Sequence, residues 1–464
     1  MLIRQSKNTY LRLWDDLGYV ENQTNHLSKV GRDNEYAFMR VLSRHEQTLE
    51  ELIKRTGLSQ DEVLAFVEDY ERLWFIVTGE TTEELDLKEH QFSYDALAST
   101  EALFKEVELD GKVELDMPWL RSLQLEITSL CNERCIHCYL PTEKRTRGGY
   151  MAIEKVKAII DEFAAINGLR VVLSGGEILL HPNLFEIMDY CKKKDMMILF
   201  QSNILLLNDD KIERLKALNL FNVQVSLYSV DPLVHDAITK VPGSWTRTTN
   251  NIKKLVENNI PVLISCPVMR LNYKGYKDMI QFCERLNIYC YVDYILMAQS
   301  DLCTDNLCAR LTLDETSELM DDLLEFSPNY ISKLKSIQSE AEIDQTPFAQ
   351  RFIKCDILKS NLGITVKGDA YPCPGWQSMV LGNVFKQPLA EIWYDSEKTN
   401  SIRRIKPSDF EQCVSCKLHN YCDMCMVYNY NESGGDIFKV CNRFCETAQL
   451  LNKKVKAKYH KING

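Results

Sequence analysis

The sequence predicts an α/β protein whose centre is a series of parallel βα units, arranged as an open or a closed barrel. Short apolar runs alternate with amphipathic stretches about six times between residues 119 and 296, the pattern of a parallel sheet covered by helices. A small α+β unit precedes this region at residues 1–78. A region rich in cysteines and loops follows it at residues 351–464.

Length and composition indicate a globular chain of several domains. With 464 residues, 45% hydrophobic and 26% charged, the chain is too long for one core, and about two to four domains are expected. The formal net charge of −11 argues against nucleic acid or an anionic membrane as the main partner. Because no apolar run reaches membrane-spanning length and the N-terminus lacks an apolar signal core, the sequence predicts a soluble cytoplasmic protein.

The N-terminal unit is predicted to contain strands followed by three helices, as in winged-helix domains. Strand patterns occupy residues 8–14 and 19–30. Two helical patterns follow, and a third begins at Ser59, where Ser59 and Glu62 form a capping box.

Residues 79–118 are predicted to form an acidic linker. They hold twelve acidic residues against three lysines and end in a predicted hairpin with Asp110-Gly111 at its turn. A second connection, residues 301–350, is predicted to be a helical bridge. The tail from Glu446 is predicted to be a basic helix.

The central region, residues 119–300, contains six strand patterns. They lie at residues 122–128, 169–174, 196–201, 222–228, 261–268 and 289–296. Amphipathic stretches separate them, so the carboxyl ends of the strands are expected at one common rim, which carries the chemistry in βα barrels.

Three cysteines, Cys131, Cys135 and Cys138, follow the first of these strands with the spacing C-x3-C-x2-C. A tetrahedral zinc site requires four ligands, whereas three thiolates on a four-iron cube leave one iron open for a substrate or cofactor. Two hypotheses therefore stand: a cube with an open iron, or a zinc knuckle completed by His137 or a distant residue.

Three more motifs lie at the same predicted rim. Residues 174–177 (SGGE) follow the second strand, residues 201–203 (QSN) end the third, and residues 226–229 (SLYS) end the fourth. Glycines permit close approach of the backbone to a ligand, and the carboxylate of Glu177 can accept a hydrogen bond from an ammonium group.

With these motifs, residues 119–300 resemble the radical S-adenosylmethionine (radical SAM) superfamily. The resemblance implies a partial (β/α)6 barrel in which Cys131, Cys135 and Cys138 ligate a catalytic [4Fe–4S] cluster. It implies that S-adenosylmethionine binds the open iron and yields a 5′-deoxyadenosyl radical that abstracts hydrogen from the substrate. The same resemblance implies roles in holding S-adenosylmethionine for Gly175, Gly176, Glu177, Asn203, Ser226 and His137; His137 stands where the family usually has an aromatic residue near the adenine.

A second group of cysteines lies in the C-terminal region and could hold two structural zinc ions or two iron–sulfur clusters. Its members are Cys355, Cys373, Cys413, Cys416, Cys422, Cys425, Cys441 and Cys445. Their order resembles the SPASM extension of radical SAM enzymes, which implies two auxiliary [4Fe–4S] clusters. By that resemblance Cys413, Cys416, Cys422 and Cys441 bind one cluster, and Cys355, Cys373 and Cys425 begin the other. Cys445 either completes the cluster of Cys355 or leaves that cluster with an open iron.

The other six cysteines are expected to be core residues: Cys191, Cys266, Cys283, Cys290, Cys303 and Cys308. The last two lie in a predicted loop and fit this expectation least well.

The N-terminal unit resembles the peptide-recognition element of peptide-maturation enzymes. This implies that a leader peptide adds a strand to its sheet, with residues 26–30 as the expected edge and residues 61–74 as the neighbouring helix. The alternative is a generic winged helix that binds nucleic acid.

Together these resemblances predict a radical SAM/SPASM enzyme that modifies a ribosomally synthesised precursor peptide, forming a carbon–carbon or thioether cross-link. An electron donor such as flavodoxin or ferredoxin is expected as a second partner. The alternatives are a formylglycine-type sulfatase maturase, which lacks the N-terminal unit, and a non-catalytic, zinc-stabilised peptide-binding protein.

Overall fold

The structure is a computed structural model that describes residues 1–91, 118–327, 330–332, 334–335, 355 and 357–460. The predicted hairpin at Asp110-Gly111 and part of the predicted bridge at residues 301–350 lie outside these residues.

The N-terminal unit consists of two small antiparallel sheets and four helices. Its strands are β1 Leu2–Gln5, β2 Thr9–Leu13, β3 Gly18–Asn22, β4 Ser28–Gly31, β5 Gln47–Thr48 and β6 Ile76–Gly79, and its helices are α1 Asp33–Met39, α2 Leu49–Thr56, α3 Gln60–Arg72 and α4 Thr82–Gln91. The sheets have the orders β5-β1-β6 and β2-β3-β4. The predicted capping box of Ser59 and Glu62 is present at the start of α3.

The linker prediction is wrong for its first part, because α4 occupies Thr82–Gln91. The helix packs against β1 and β6 and buries the side chain of Glu89. That carboxylate accepts hydrogen bonds from the hydroxyl of Ser6 (2.6 Å) and the backbone N–H of Lys7 (3.0 Å). The acidic composition suggested a solvated linker and not a packed helix. Most carboxylates of the helix are indeed exposed, whereas Glu89 is buried and accepts hydrogen bonds inside the unit.

Six parallel strands form the central barrel, and each lies within a few residues of its predicted position. The strands are β7 Ser122–Thr128, β8 Arg170–Gly175, β9 Met197–Ser202, β10 Asn222–Ser226, β11 Val262–Pro267 and β12 Tyr289–Asp293, and the helices are α5 Thr142–Thr146, α6 Ile153–Ala165, α7 Leu184–Lys193, α8 Asp209–Ala217, α9 Pro232–Thr239, α10 Ser244–Glu257 and α11 Tyr276–Arg285. The strand order β12-β11-β10-β9-β8-β7 confirms the partial (β/α)6 barrel.

The turns that precede strands β8 to β12 share one backbone conformation. Each contains an Asn or Asp with a positive φ between 47° and 60°: Asn167, Asp195, Asn219, Asn259 and Asn287. These short polar side chains tolerate the left-handed conformation that ends the preceding helix. The turns therefore need no glycine at that position. Without a repeated glycine, the sequence does not show that the five turns are alike.

The C-terminal region extends the same sheet. It contains β13 Asn361–Ile364, β14 Asp369–Tyr371, β15 Gly382–Asn383, α12 Leu313–Phe326, α13 Glu397–Arg403, α14 Glu411–Val414, α15 Met426–Ser433 and α16 Asn442–His460. Strand β13 runs parallel to β7, and β14 and β15 follow in antiparallel order. The predicted C-terminal helix is confirmed as α16. No helix within the described ranges is long and apolar enough to cross a membrane.

The N-terminal unit closes the end of the barrel at which the strands begin. An apolar cluster joins Tyr10 and Tyr19 of the unit to Trp119, Leu169, Met197 and Phe221 of the barrel. Arg12 reaches across the same boundary, donating to the backbone carbonyl of Gly168 at 2.7 Å. The unit is therefore the floor of the barrel.

Glu21 on β3 is the charged centre of this floor. Its side chain is buried and forms ion pairs with Arg121 and with Arg170 (3.1 Å), while the hydroxyl of Tyr19 donates to it at 2.8 Å. Burial alone would raise the pKa of Glu21, but the two guanidinium groups outweigh burial and hold that pKa below its ordinary value. The carboxylate thus stays charged at neutral pH and links β3 to the starts of β7 and β8.

We predict that Glu21→Gln destabilises the protein by about 3 kcal/mol, because removing one partner of a buried ion pair leaves the other charges uncompensated. The melting temperature measured by scanning calorimetry should fall clearly. Glu154→Gln, at an exposed position on α6, is the matched control and should melt like the wild type. Equal melting temperatures for the two variants would contradict this role of Glu21.

Candidate functional site

Four loops meet at the rim where the strands end, as the sequence predicts. Strands β7, β8, β9 and β10 are neighbours in the sheet and run parallel. The cysteine loop, the glycine loop, the QSN segment and the SLYS segment follow them in that order. One rim thus assembles residues that are about 100 positions apart in the sequence.

Backbone hydrogen bonds hold the cysteine loop against two helices. The N–H of Cys131 donates to the carbonyl of Arg145 in α5 at 3.1 Å. The N–H groups of Arg134 and Ile136 donate to the carbonyls of Thr239 and Ile238 at the end of α9. The loop is therefore fixed from both sides.

The three thiols of this loop are free and largely buried. Burial raises the pKa of Cys131 to about 12, and burial raises the pKa values of Cys135 and Cys138 as well. Without a cationic group the thiolates would be unstable here, so the donor set fits a metal cluster, whose ligands must be deprotonated. Within the described residues no three His, Cys, Asp or Glu side chains converge as a single ion requires; a cube fits such spacing, since its thiolates bind different irons.

Two glycines allow the second loop to lie directly on the first. Gly175 has φ +140°, and a Cβ there would overlap the carbonyl oxygen of Thr128. A Cβ on Gly176 would overlap the carbonyl oxygen of Leu130. The N–H of Gly176 donates to Thr128 at 2.9 Å and that of Glu177 donates to Leu130 at 2.7 Å. Any side chain at either glycine would separate the loops.

Glu177 is buried (1% exposed) and already has partners inside the protein. It accepts hydrogen bonds from the N–H of Leu179 (2.9 Å), the hydroxyl of Ser202 (2.6 Å) and the N–H of Asn203 (2.8 Å). The carboxylate therefore joins the end of β8 to the end of β9. Its role as the ligand of a methionyl ammonium group stays a prediction, and the structure assigns it a positioning role.

Asn203 links its own strand end to the cysteine loop. Its Nδ2 donates to the side-chain oxygen of Asn132 at 2.7 Å, and its Oδ1 accepts from the N–H of Leu205 at 3.1 Å. Ser226 lies at the end of β10, near the side chain of Tyr228. Asn203 thus contacts the cysteine loop directly, and Ser226 lies near a residue that does.

Tyr228 is a site residue that the sequence analysis missed. Its hydroxyl lies 3.7 Å from the sulfur of Cys135, and the ring of His137 packs edge-on against it with centroids 4.7 Å apart. Burial and the nearby Arg145 lower the pKa of His137 to about 4, so the imidazole is neutral and packs as an aromatic ring. The SLYS motif contained the signal, but only Ser226 was selected from it.

Glu133 was also missed. This carboxyl is 3% exposed and lies 3.2 Å from the sulfur of Cys135. Burial raises its pKa to about 7. Its position between two of the cysteines gave no distinguishing signal, because acidic residues are common in loops.

The C-terminal cysteines divide into two groups. Cys373 lies near Cys425 and Cys355, which both add to the effect of burial in raising its pKa to about 12. Cys413, Cys416, Cys422 and Cys445 influence one another in the same way. The first group agrees with the predicted beginning of one cluster.

The surroundings of Cys441 differ from those of the other C-terminal cysteines. Cys441 lies 3.4 Å from the carboxylate of Glu432, and after burial its pKa is influenced by Glu432 and Arg310 rather than by another thiol. Cys445, one helical turn along α16, takes its place beside Cys413. The sequence does not show which of the two cysteines belongs with Cys413. In the structure Cys441 lies just before α16 and Cys445 lies in its first turn. In the structure Cys445 lies nearer to Cys413, Cys416 and Cys422 than Cys441 does, and the cluster that each of the two cysteines serves stays a prediction.

Four of the six cysteines expected in the core fit that expectation. Cys191, Cys266 and Cys283 are buried, and Cys290 is half-buried against the main core. In the loop pair, Cys303 is half-buried and Cys308 is exposed, so Cys308 is not a core residue.

Two family models match the chain. The radical SAM superfamily model matches residues 125–283, and the model of the SPASM iron–sulfur cluster-binding domain matches residues 355–417. The first match contains the cysteine loop and the three other rim motifs, and the second contains Cys355, Cys373, Cys413 and Cys416.

Curated relatives fall into more than one class of enzyme. The AdoMet-dependent heme synthase of Nitratidesulfovibrio vulgaris is 24% identical over 334 residues, 68% of this chain and 90% of that protein. The subtilosin biosynthesis protein AlbA of Bacillus subtilis is 27% identical over 342 residues, 72% of each chain.

Solved structures share the fold over different lengths. SuiB of Streptococcus suis bound to its precursor peptide SuiA is similar with a TM-score of 0.63 at 17% identity, covering 94% of this chain and 98% of that chain. The enzyme anSMEcpe with bound AdoMet has a TM-score of 0.56 at 14% identity, covering 74% of this chain and 98% of that chain.

These matches decide between the metal hypotheses. A radical SAM domain with a SPASM domain uses a [4Fe–4S] cluster, auxiliary clusters and S-adenosylmethionine, so the zinc knuckle and the structural zinc ions are set aside. The buried thiols of the cysteine loop fit these cofactors, and so does the close contact that Gly175 and Gly176 make with that loop.

We predict that changing Cys131, Cys135 and Cys138 together to Ala removes about four irons per chain, the content of one cube, and ends S-adenosylmethionine cleavage. Iron analysis and detection of 5′-deoxyadenosine measure both effects. Cys308→Ala changes an exposed thiol that belongs neither to the cysteine loop nor to the C-terminal group of cysteines. This variant is the control and should retain the full iron content. Continued cleavage by the triple variant would refute the assignment of the loop.

Cys445→Ala is expected to lower the iron content, whereas Cys441→Ala is expected to leave it unchanged, because only Cys445 lies among Cys413, Cys416 and Cys422. The pair is matched in residue type and in position near the start of one helix. Anaerobic iron analysis and Mössbauer spectroscopy measure the difference. Loss of iron from Cys441→Ala alone would reverse the assignment.

Proposed function

We propose, from a chain that carries a radical SAM domain and a SPASM domain, that this enzyme modifies a ribosomally synthesised peptide and forms a cross-link within it. When bound and reduced, the cluster and S-adenosylmethionine supply an organic radical that removes a hydrogen atom from an unactivated carbon. The proposed ligands of that cluster are Cys131, Cys135 and Cys138. The bond formed is either carbon–carbon or thioether.

The chain's own residues organise this site. Glu177 and Asn203 fix the glycine loop and the QSN segment relative to the cysteine loop. The neutral imidazole of His137 and the phenol ring of Tyr228 cover one side of that loop and limit access of water. An external donor such as flavodoxin or ferredoxin would deliver the electrons, and we place the enzyme in the cytoplasm with such donors.

The N-terminal unit is the observation that carries the proposal. The alignment with the heme synthases leaves about a third of this chain without a counterpart, whereas the fold similarity to SuiB extends over nearly all of both chains. That structure is described as bound to a precursor peptide. A peptide substrate explains why the barrel carries an additional unit at its floor.

Strand β4 is the proposed docking edge for the leader. In the described residues β4 pairs only with β3, so its other edge can accept a strand. The N–H of Asn22 donates to the carbonyl of Leu27 at 3.0 Å. Alternation along an antiparallel ladder then turns the N–H of Val30 towards the free edge.

Helix α3 offers one aromatic side chain beside this edge. Val63 and Tyr70 are fully buried in the core of the unit. Phe66 is only partly buried and stacks on Phe38 with centroids 5.4 Å apart. Phe66 is therefore the residue of α3 that we assign to leader contact.

Two alternatives remain testable. The relatives named heme synthase and Fe-coproporphyrin III synthase favour a porphyrin substrate as the second candidate. A sulfatase-type maturase is less consistent with the chain, because that class lacks the N-terminal unit, which here packs on the barrel through Tyr10 and Tyr19.

The decisive experiment incubates the anaerobically reconstituted enzyme with reductant, S-adenosylmethionine and each short peptide encoded beside the gene. Mass spectrometry should detect a peptide that has lost two hydrogens. A parallel incubation with Fe-coproporphyrin III should leave its absorption spectrum unchanged. Conversion of the porphyrin, with every peptide intact, would refute the proposal.

We predict that Val30→Pro weakens binding of the full precursor at least tenfold, about 1.4 kcal/mol, because proline removes the outward N–H. Val30→Ala keeps that N–H and is the matched control, with near-normal affinity. Calorimetry measures both affinities, and both variants should cleave S-adenosylmethionine normally. Equal affinities would show that the leader does not pair with β4.

A point variant is preferable to deletion of residues 1–78. Deletion would expose Trp119 and Phe221 and leave Arg121 and Arg170 without Glu21. A truncated chain would therefore lose binding by losing its fold.

A further inference from the structure

The six strands of the barrel have an apolar outer face and a polar inner face. Their outer residues, such as Leu125, Phe200 and Ile264, belong to the main core beneath the helices. The residues between them face inwards, and many are polar: Gln124, Glu126, Ser174, Gln201, Gln224, Ser226, Ser265 and Tyr291. Closed βα barrels fill this space with branched apolar side chains, so the interior here is built to contact something polar.

One level of the barrel is the most polar. Glu126 is in register with Ser174, and Gln201 is in register with Gln224. The side chains of Gln201 and Gln224 are joined by a hydrogen bond of 3.1 Å. Hydrogen-bonding groups from four neighbouring strands therefore lie side by side below the rim.

Glu126 is held from one side only. The hydroxyl of Tyr371 (2.8 Å) and the amide of Gln377 (2.6 Å) both donate to Oε1. Oε2 makes no hydrogen bond with the described residues. It does not belong to the side-chain atoms that are both unpaired and closed off from solvent. The C-terminal region thus fixes one oxygen and leaves the other without a partner among the described residues.

We propose that Oε2 of Glu126 accepts a hydrogen bond from a donor group of the substrate, so that the barrel selects a peptide side chain bearing an ammonium group over one bearing a carboxylate. This inference rests on the proposed function and names the feature of the peptide that the barrel recognises.

Charge in the barrel interior supports this choice. Among the described inward-facing residues of the six strands, the only Lys or Arg is Arg170, which is engaged by Glu21 at the floor. A porphyrin carrying several carboxylates would bring further negative charge against Glu126, which only Lys144 among its described neighbours offsets. A peptide with an ammonium group would neutralise a carboxylate that is otherwise buried.

Titration gives the proposal a second signature. Burial raises the pKa of Glu126 to about 7, against the opposing effects of Tyr371, Lys144 and Gln377. The titratable or charged groups that face it are Tyr371 from β14, Lys144 from α5 and Tyr139 from the cysteine loop. Above this pKa the carboxylate attracts an ammonium group, and as the pH falls through about 7 the attraction is lost.

The test uses the reconstituted enzyme and synthetic hexapeptides with blocked ends. The peptides share one frame and carry Lys, norleucine or Glu at a central position. Competitive binding, read by mass spectrometry at pH 8, should favour Lys over Glu about tenfold in the wild type. Glu126→Gln should abolish this preference without changing the affinity for the norleucine peptide, and Glu154→Gln should preserve it.

A second variant keeps Glu126 itself in place. Tyr371→Phe removes a donor that lowers the pKa of Glu126, so the pH at which the Lys preference fades should move upwards. A preference that persists unchanged in Glu126→Gln overturns this inference alone. Retention of Fe-coproporphyrin III, with no hexapeptide bound by the wild type, overturns the proposed function and this inference with it.

Discussion

The contact between two backbones organises the site. The glycine loop lies on the cysteine loop so closely that no Cβ fits at Gly175 or Gly176. Glu177 then joins the glycine loop to the end of β9 by accepting hydrogen bonds from Ser202 and Asn203, and it accepts a third from Leu179 of its own loop. A buried carboxylate with three donors is costly to disturb, since each lost partner leaves a desolvated acceptor. The positions of the cysteines thus depend on contacts made within the protein itself.

The two ends of the barrel have different tasks. At the rim, loops from four strands gather the chemistry. At the floor, the N-terminal unit seals the barrel with aromatic rings and with the buried carboxylate of Glu21 between two arginines. Glu21 contacts Arg121 and Arg170, at the starts of β7 and β8, and the loops at the other ends of these strands form the site. The unit that we assign to peptide docking is therefore also a structural part of the barrel.

The barrel interior connects the rim to the C-terminal region. Glu126 lies on β7 but is oriented by Tyr371 and Gln377, which belong to the region of the auxiliary clusters. Strand β13 makes this possible by extending the sheet directly from β7. A substrate in the interior would thus contact groups positioned by both domains.

The sequence by itself determined the local features: six strands read from short apolar runs, the capping box at Ser59, the cysteine loop and three rim motifs. Each depends on residues close in the chain, so spacing and pattern suffice. The tertiary structure alone decided that Cys445 lies beside Cys413 while Cys441 lies beside Glu432, that α4 replaces part of the linker, and that Glu177 has internal partners. It also brought Tyr371 to Glu126, 245 positions away. Such pairings depend on how sheets and helices pack, which residues distant in the chain do not reveal by their spacing.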